Sequence, residues 1–127
     1  MTAATALTIV LAGAAAAAPA SAAAPKLGIY DCEGIDTFDY VNSVKLMSGG
    51  RYLVGSERVG SKLKRTTKGR YKVTGKKITW LSGMYKRGGY SSTVYKTYFT
   101  IDRLDGTSTG VSCTFLPKPT GARAPGI

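Results

Sequence analysis

Gly69-Arg70-Tyr71-Lys72-Val73-Thr74-Gly75-Lys76-Lys77-Ile78-Thr79-Trp80 alternates, turns and alternates again. Tyr71 and Val73 fall on one face and Arg70, Lys72 and Thr74 on the other, the two-residue period of a half-buried β-strand. Gly75-Lys76 supplies the turn, because Gly takes positive φ without steric cost. The returning strand, residues 77–81, sets Ile78 and Trp80 on one face. The same pattern recurs on both sides. In residues 40–47, Tyr40, Asn42, Val44 and Leu46 alternate with Val41, Ser43, Lys45 and Met47. Ser48-Gly49-Gly50 turns the chain, and residues 51–55 return with Tyr52 and Val54 inward. Residues 27–32 make a first strand with Tyr30 and Cys32 on one face. Residues 91–101 read as a single strand, setting Tyr95, Thr97, Phe99 and Ile101 against Val94, Lys96, Tyr98 and Thr100. Residues 102–106 turn, and Val111, Cys113 and Phe115 face inward on the last strand. No window carries apolar residues at i, i+3, i+4 and i+7 over three turns, so no amphipathic helix is expected. Gly50-Arg51-Tyr52-Leu53-Val54 is echoed at Gly69-Arg70-Tyr71-Lys72-Val73, read as one strand template reused in a meander. The expected fold is all-β: a small antiparallel up-and-down barrel of about seven to eight strands, with one disulfide.

Composition divides the 127 residues unevenly. Of the 15 Ala, 13 precede Pro25, and residues 6–18 form an uncharged apolar run followed by Pro19-Ala20-Ser21-Ala22. That is the layout of a secretory signal peptide with a small-residue cleavage site. The run is too short for a bilayer span, which needs about 20 residues, and no Lys or Arg precedes it. Residues 1–22 are therefore assigned to a signal peptide, 23–116 to the barrel and 117–127, with three Pro, to a flexible tail. No integral membrane span is expected in the mature chain. All 18 Lys+Arg and all 7 Asp+Glu lie beyond residue 22. The remaining chain supports one modest core.

The chain has 2 Cys and no His. This excludes His-dependent triads and dyads and every His metal site. It also excludes Cys₄ zinc and iron–sulfur centres. In an exported protein, Cys32 and Cys113 are most simply a disulfide, with two buried free thiols as the alternative. The C-x-x-C spacing of a redox-active pair is absent.

Gly28-Ile29-Tyr30, opening the first strand, resembles the G-x-W/Y opening of lipocalin-like, calycin-type β-barrels. This chain has Tyr30 in place of the usual Trp, and only Lys118 stands near the last strand as a basic residue to cover it. The resemblance implies a barrel whose interior or mouth binds a ligand, and it assigns no catalytic residue.

Charge is the clearest chemical signal. Residues 58–77 hold nine basic side chains and no acid: Arg58, Lys62, Lys64, Arg65, Lys68, Arg70, Lys72, Lys76 and Lys77. Such density raises local anion concentration and steers polyanions. Arg70, Lys72 and Lys77 are expected together on the outer face, beside a loop carrying Lys62 to Lys68. Tyr85 and Tyr90, around Lys86-Arg87, are positioned to stack on bases or sugars. Trp80 belongs either to the core or to a ligand-contacting barrel mouth. Asp31, Glu33, Asp36 and Asp39 match neither a calcium loop nor a paired-carboxylate site. They are expected to fold back against the basic segment. Ser61-Lys62-Leu63-Lys64 fits S-x-x-K only formally, because that chemistry needs a helix start beside a pocket. Residues 69–77 fail the P-loop spacing and lack its helix.

The sequence thus points to a secreted, non-enzymatic binding module with no cofactor and no metal. Its expected partner is a polyanion, an anionic cell-envelope surface or a small ligand. The alternative is a protein-interaction module such as an inhibitor of a secreted hydrolase, with Tyr and Arg as hot spots. A His-free hydrolase would have to run on Glu57 with Tyr and Arg. Cleavage is expected after Ala22, with Ala24 as the alternative site. Mass spectrometry of exported material should then find Ala23 at the amino terminus; an intact Met1 would refute cleavage.

Overall fold

A computed structural model of the protein describes residues 24–126. Residues 1–22, expected from the sequence to be a signal peptide, lie outside the described residues. The chain runs through β1 (Gly28–Gly34), β2 (Tyr40–Met47), β3 (Arg51–Val59), β4 (Lys62–Thr74), β5 (Lys77–Trp80), a single-turn helix α1 (Met84–Arg87), β6 (Tyr90–Thr93), β7 (Tyr98–Arg103), β8 (Ser108–Leu116) and β9 (Ala122–Arg123). Each of β1 to β7 pairs antiparallel with the next, and β8 returns to pair with β1. The result is a closed up-and-down barrel of the expected kind. β9 is an extra strand, laid against the end of β3 through Arg58↔Arg123 and Val59↔Ala122.

The β2–β3 hairpin follows the sequence pattern closely. Tyr40, Asn42, Val44 and Leu46 are buried, and the turn uses Gly49 and Gly50 at φ 77° and 69°. Three expectations are corrected. Residues 91–101 are not one strand: β6 ends at Thr93, Val94 bridges to Phe99, and the Tyr95 N–H donates to the Tyr98 carbonyl. The turn over Lys96-Thr97 carries no Gly or Pro, so alternation runs through it unmarked. The expected loop at residues 62–68 is instead the first half of β4, a 13-residue strand. Of its positions in phase with Tyr71, Leu63 is apolar, but the intervening Thr67 and left-handed Arg65 (φ 55°) are polar, which hides the period. The tail is not free: the Gly60 N–H donates to the Gly121 carbonyl at 2.7 Å, and β9 follows directly.

Aromatic rings fill the barrel. Tyr30, Tyr52, Tyr71, Trp80, Tyr85 and Phe99 are all buried in one cluster with Val44, Leu46, Ile78 and Ile101. Trp80 packs on Tyr52, Tyr71, Tyr85 and Phe99, with ring centroids 4.7–6.1 Å away. The polar tips are satisfied as well. Trp80 Nε1 donates to Ser92 Oγ at 3.1 Å, and the Tyr52 hydroxyl donates to the Ser82 carbonyl at 2.7 Å. The echoed Gly-Arg-Tyr triplets meet in opposite directions: Tyr52 pairs with Gly69, and the Tyr71 N–H donates to the Gly50 carbonyl. A Cβ at Gly69 would strike the Tyr52 ring, so this ring sits where only glycine leaves room.

Cys32 and Cys113 are cross-strand partners on β1 and β8 and are bonded to each other. The bond therefore lies on the seam where the meander closes. It spans 81 residues of sequence, and in the chain-entropy picture closing such a loop contributes roughly 4.5 kcal/mol. Cys113→Ser is expected to lower the urea unfolding free energy by about 2–5 kcal/mol, measured against the wild type at equal protein concentration. A loss below about 1 kcal/mol, well under that range, would show that strand pairing alone closes the seam.

Candidate functional site

Asp31 lies between inward-facing Tyr30 and Cys32, so alternation turns it away from the ring-filled core. It is nonetheless buried, as is its partner Arg58, each about 5% exposed. Arg58 Nε and Nη2 donate to Asp31 Oδ1 and Oδ2, each at 2.7 Å, a bidentate pair. The third nitrogen, Nη1, donates to the carbonyls of Thr120 (2.8 Å) and Gly60 (3.2 Å). Hydrogen bonding to Asp31 raises the Arg58 pKa above its ordinary value. Ser43 Oγ also donates to Asp31 Oδ1, and Tyr40 hydrogen-bonds Ser43. Arg123 on β9 completes the group: Nη2 lies 2.8 Å from Glu33, and the guanidinium lies 4.9 Å from the Tyr40 ring centroid. Arg58 thus leaves the basic surface to which its place in the charge run assigned it. It is a structural cation that ties the tail to the barrel. Of the acids expected to fold back on the basic segment, Asp31 does so, through Arg58. Glu33 goes instead to Arg123, outside that segment, and Asp36 and Asp39 stay exposed.

The other eight basic residues of the run are exposed. Lys62, Lys64, Lys68, Arg70 and Lys72 occupy alternate positions of β4, on the face opposite buried Tyr71, with Thr66 as the one break. At about 3.4 Å per residue, successive charges stand about 6.8 Å apart. This is inside the screening length of about 8 Å at physiological ionic strength. Their mutual repulsion in water is only about 0.6 kcal/mol per adjacent pair, small enough for the fold to carry. Arg65 is the one of these cations with a carboxylate within 4 Å among the described residues: Glu57, at 3.6 Å, in an exposed pair that adds little stability. Lys77 is exposed at the start of β5, paired across the hairpin with Thr74. Lys76, in the turn before it, lies 5.0 Å from the Tyr95 ring centroid.

A pocket of about 510 Å³ adjoins the upper part of this row. The β2–β3 hairpin contributes Met47, Arg51, Tyr52 and Leu53. β4 contributes Lys68, Gly69 and Arg70. The segment after β5 contributes Ser82, Gly83 and, from α1, Arg87. Four cations and no carboxylate line it. Arg51 and Arg70 are direct cross-strand partners, a like-charge juxtaposition that a sheet tolerates only at a cost. Neither Arg51 nor Arg87 stands out in the sequence. The Gly-Arg-Tyr echo is the signal that could have found Arg51, since antiparallel pairing of the two copies places their arginines face to face.

The aromatic candidates fall elsewhere. Trp80 and Tyr85 are core residues, 2% and 3% exposed. Burial pushes the Tyr85 phenol up, and it donates to Asn42 Oδ1. Tyr90 is half-buried, edge-on to Tyr85 at 6.2 Å, and reaches a smaller pocket of about 250 Å³ with Lys77 and Lys86. Two exposed rings, Tyr95 and Tyr98, stack 4.7 Å apart at the β6–β7 turn. Tyr30 hydrogen-bonds the Lys26 carbonyl and packs on Phe99 and Phe115. Among the described residues, no group of three or more acid, Cys or His side chains is placed to hold a metal, and no helix is long and apolar enough to cross a membrane. Compared with protein-family models, curated proteins and solved structures, the chain matches none.

Asp31→Ala would leave the Arg58 cation buried without its counter-charge. It is expected to cost about 3–5 kcal/mol of stability, while Asp31→Leu combined with Arg58→Met recovers part of that loss. Urea unfolding of the variants beside the wild type checks this. A double variant no better than Asp31→Ala would mean that the carbonyls of the tail, rather than the ion pair, dominate.

Proposed function

We propose that the protein is a secreted, non-enzymatic binding module that engages an anionic polymer of the cell envelope through the outer face of β4. The observation that carries this reading is the row Lys62, Lys64, Lys68, Arg70 and Lys72, exposed on one face of β4, interrupted only at Thr66, and with no carboxylate within 4 Å of any of the five among the described residues. A linear array of this kind suits a linear polyanion. Each contact is weak, but together the cations displace counterions that the polymer holds condensed. The Ala-rich leader and the disulfide fit export to an oxidising compartment. The ring-filled interior favours recognition on the outside over a ligand held within the barrel.

The experiment replaces Lys62, Lys64 and Lys72 together by Gln. Retention on heparin, or on anionic cell-wall material, is measured across a salt series. Wild-type affinity is expected to fall linearly with salt on a log–log plot. The variant is expected to bind more weakly, with a slope shallower by about 2. All three side chains are exposed, so the variant keeps the fold. A partner held equally well by the variant, with the same slope, would remove the β4 row from the mechanism. Binding without salt dependence would favour a protein partner instead.

A further inference from the structure

The pocket beside the row has a chemistry of its own. Arg51 and Arg70 stand opposite each other, and each is tethered by the same turn. Arg51 Nε donates to the Ser48 carbonyl at 3.5 Å, and Arg70 Nη2 donates to the Gly49 carbonyl at 3.3 Å. A guanidinium carries five N–H donors, so each arginine has donors to spare after this one bond. Lys68 and Arg87 add two further cations.

The floor beneath them is fixed. A Cβ at Gly69 would strike the Ser82 carbonyl, and a Cβ at Gly83 would lie 2.8 Å from the Lys68 carbonyl oxygen. The segment at Ser82-Gly83 therefore rests backbone to backbone on β4. Tyr52 pins it there, donating to the Ser82 carbonyl and accepting the Tyr85 N–H at 3.2 Å. Gly83 takes φ 84° at this close approach. The cations thus surround a concavity held open by packed backbone, and they need no ligand to shape it.

We infer that this pocket binds a phosphate monoester bearing an apolar or ring substituent. A monoester carries about −1.5 to −2 charges at pH 7 and three strong acceptor oxygens. Guanidinium forks match such oxygens two at a time. The volume of about 510 Å³ lies in the range of sites for small organic ligands, about 300–1,000 Å³, and exceeds what a bare anion fills. Met47 and Leu53 supply the apolar wall for the substituent. The inference rests on reading this flank of the barrel as anion-binding. It is separable from the polymer reading because Arg51 and Arg87 lie outside the β4 row.

The test is an NMR titration of the full exported chain with phenyl phosphate, following the Gly69 and Gly83 amides and the Met47 methyl. Inorganic phosphate and diphenyl phosphate serve as comparisons. Saturable shifts are expected with phenyl phosphate, and weaker binding with inorganic phosphate, which lacks the ring, and with the singly charged diester. Arg51→Gln with Arg87→Gln is expected to weaken phenyl phosphate at least about tenfold, the scale of one lost charge-assisted hydrogen bond. Arg51→Lys with Arg87→Lys, which keeps charge but loses the fork, should fall between. Heparin retention of the Gln pair should fall less than that of the Lys62, Lys64 and Lys72 triple variant, since Arg51 and Arg87 flank the row rather than lie in it. The Lys62, Lys64 and Lys72 triple variant should keep phenyl phosphate binding whether or not it loses heparin, so failure of the polymer reading and failure of this one are distinguishable. Absence of saturable shifts would overturn the inference. So would equal weakening by both sets of variants, or a diester or bare phosphate that binds as tightly as phenyl phosphate.

Discussion

An eight-stranded barrel encloses a space that side chains can just fill, and here six aromatic rings fill it around Trp80. The contacts are edge-on and tilted for the most part, the arrangements that ring quadrupoles favour. This ring packing sets the terms for the rest of the molecule. Eighteen Lys and Arg cannot share such an interior with it, so the cations go to the surface. The exception among the described residues is Arg58, which is buried away from the rings and only because Asp31 meets it bidentately. Removing one member of such a pair is costly because the other is left buried and charged.

That pair also explains the tail. Residues 117–127 have the composition of a disordered terminus, yet Arg58 still has Nη1 to satisfy after Asp31 has taken its other two nitrogens. The carbonyls of Thr120 and Gly121 supply acceptors. β9 then brings Arg123 to Glu33 and over Tyr40. The tail also makes backbone hydrogen bonds of its own, the Gly60 N–H to the Gly121 carbonyl among them. A buried guanidinium with donors left over turns them into part of a network that spans β1, β2, β3 and β9.

What the sequence makes legible follows from the same physics. Where one face is apolar and the turn is glycine, as in Tyr40 to Val54 and Tyr71 to Trp80, both strand and register are readable. Where the positions that continue the inward phase are polar, the period vanishes. Arg65 and Thr67 make the first half of β4 look like a loop, so the row of five cations reads as a charge run rather than as a face. Where a turn is built from strand-forming residues, as at Tyr95 to Tyr98, alternation passes through it. The disulfide is legible from its two cysteines, because a meander closes by joining its first strand to its last. Arg87 is not legible as a pocket residue at all. Its contribution depends on how the segment after Trp80 folds back over Gly69, a long-range packing event with no local signature.

The Gly-Arg-Tyr echo joins the core to the candidate site. Two antiparallel copies must place each tyrosine beside the other copy's glycine and each arginine beside the other's arginine, given the register Arg51↔Arg70. The tyrosines gain from this, since glycine leaves room for the Tyr52 ring where a side chain would clash. The arginines lose by it, since like charges directly opposite are unfavourable in a sheet. Alternation makes the two outcomes inseparable: any register that buries Tyr52 and Tyr71 together sends Arg51 and Arg70 outward together. The packing that stabilises the interior therefore generates a concentrated positive charge on the surface above it. An anion drawn there would relieve a repulsion that the core itself imposes.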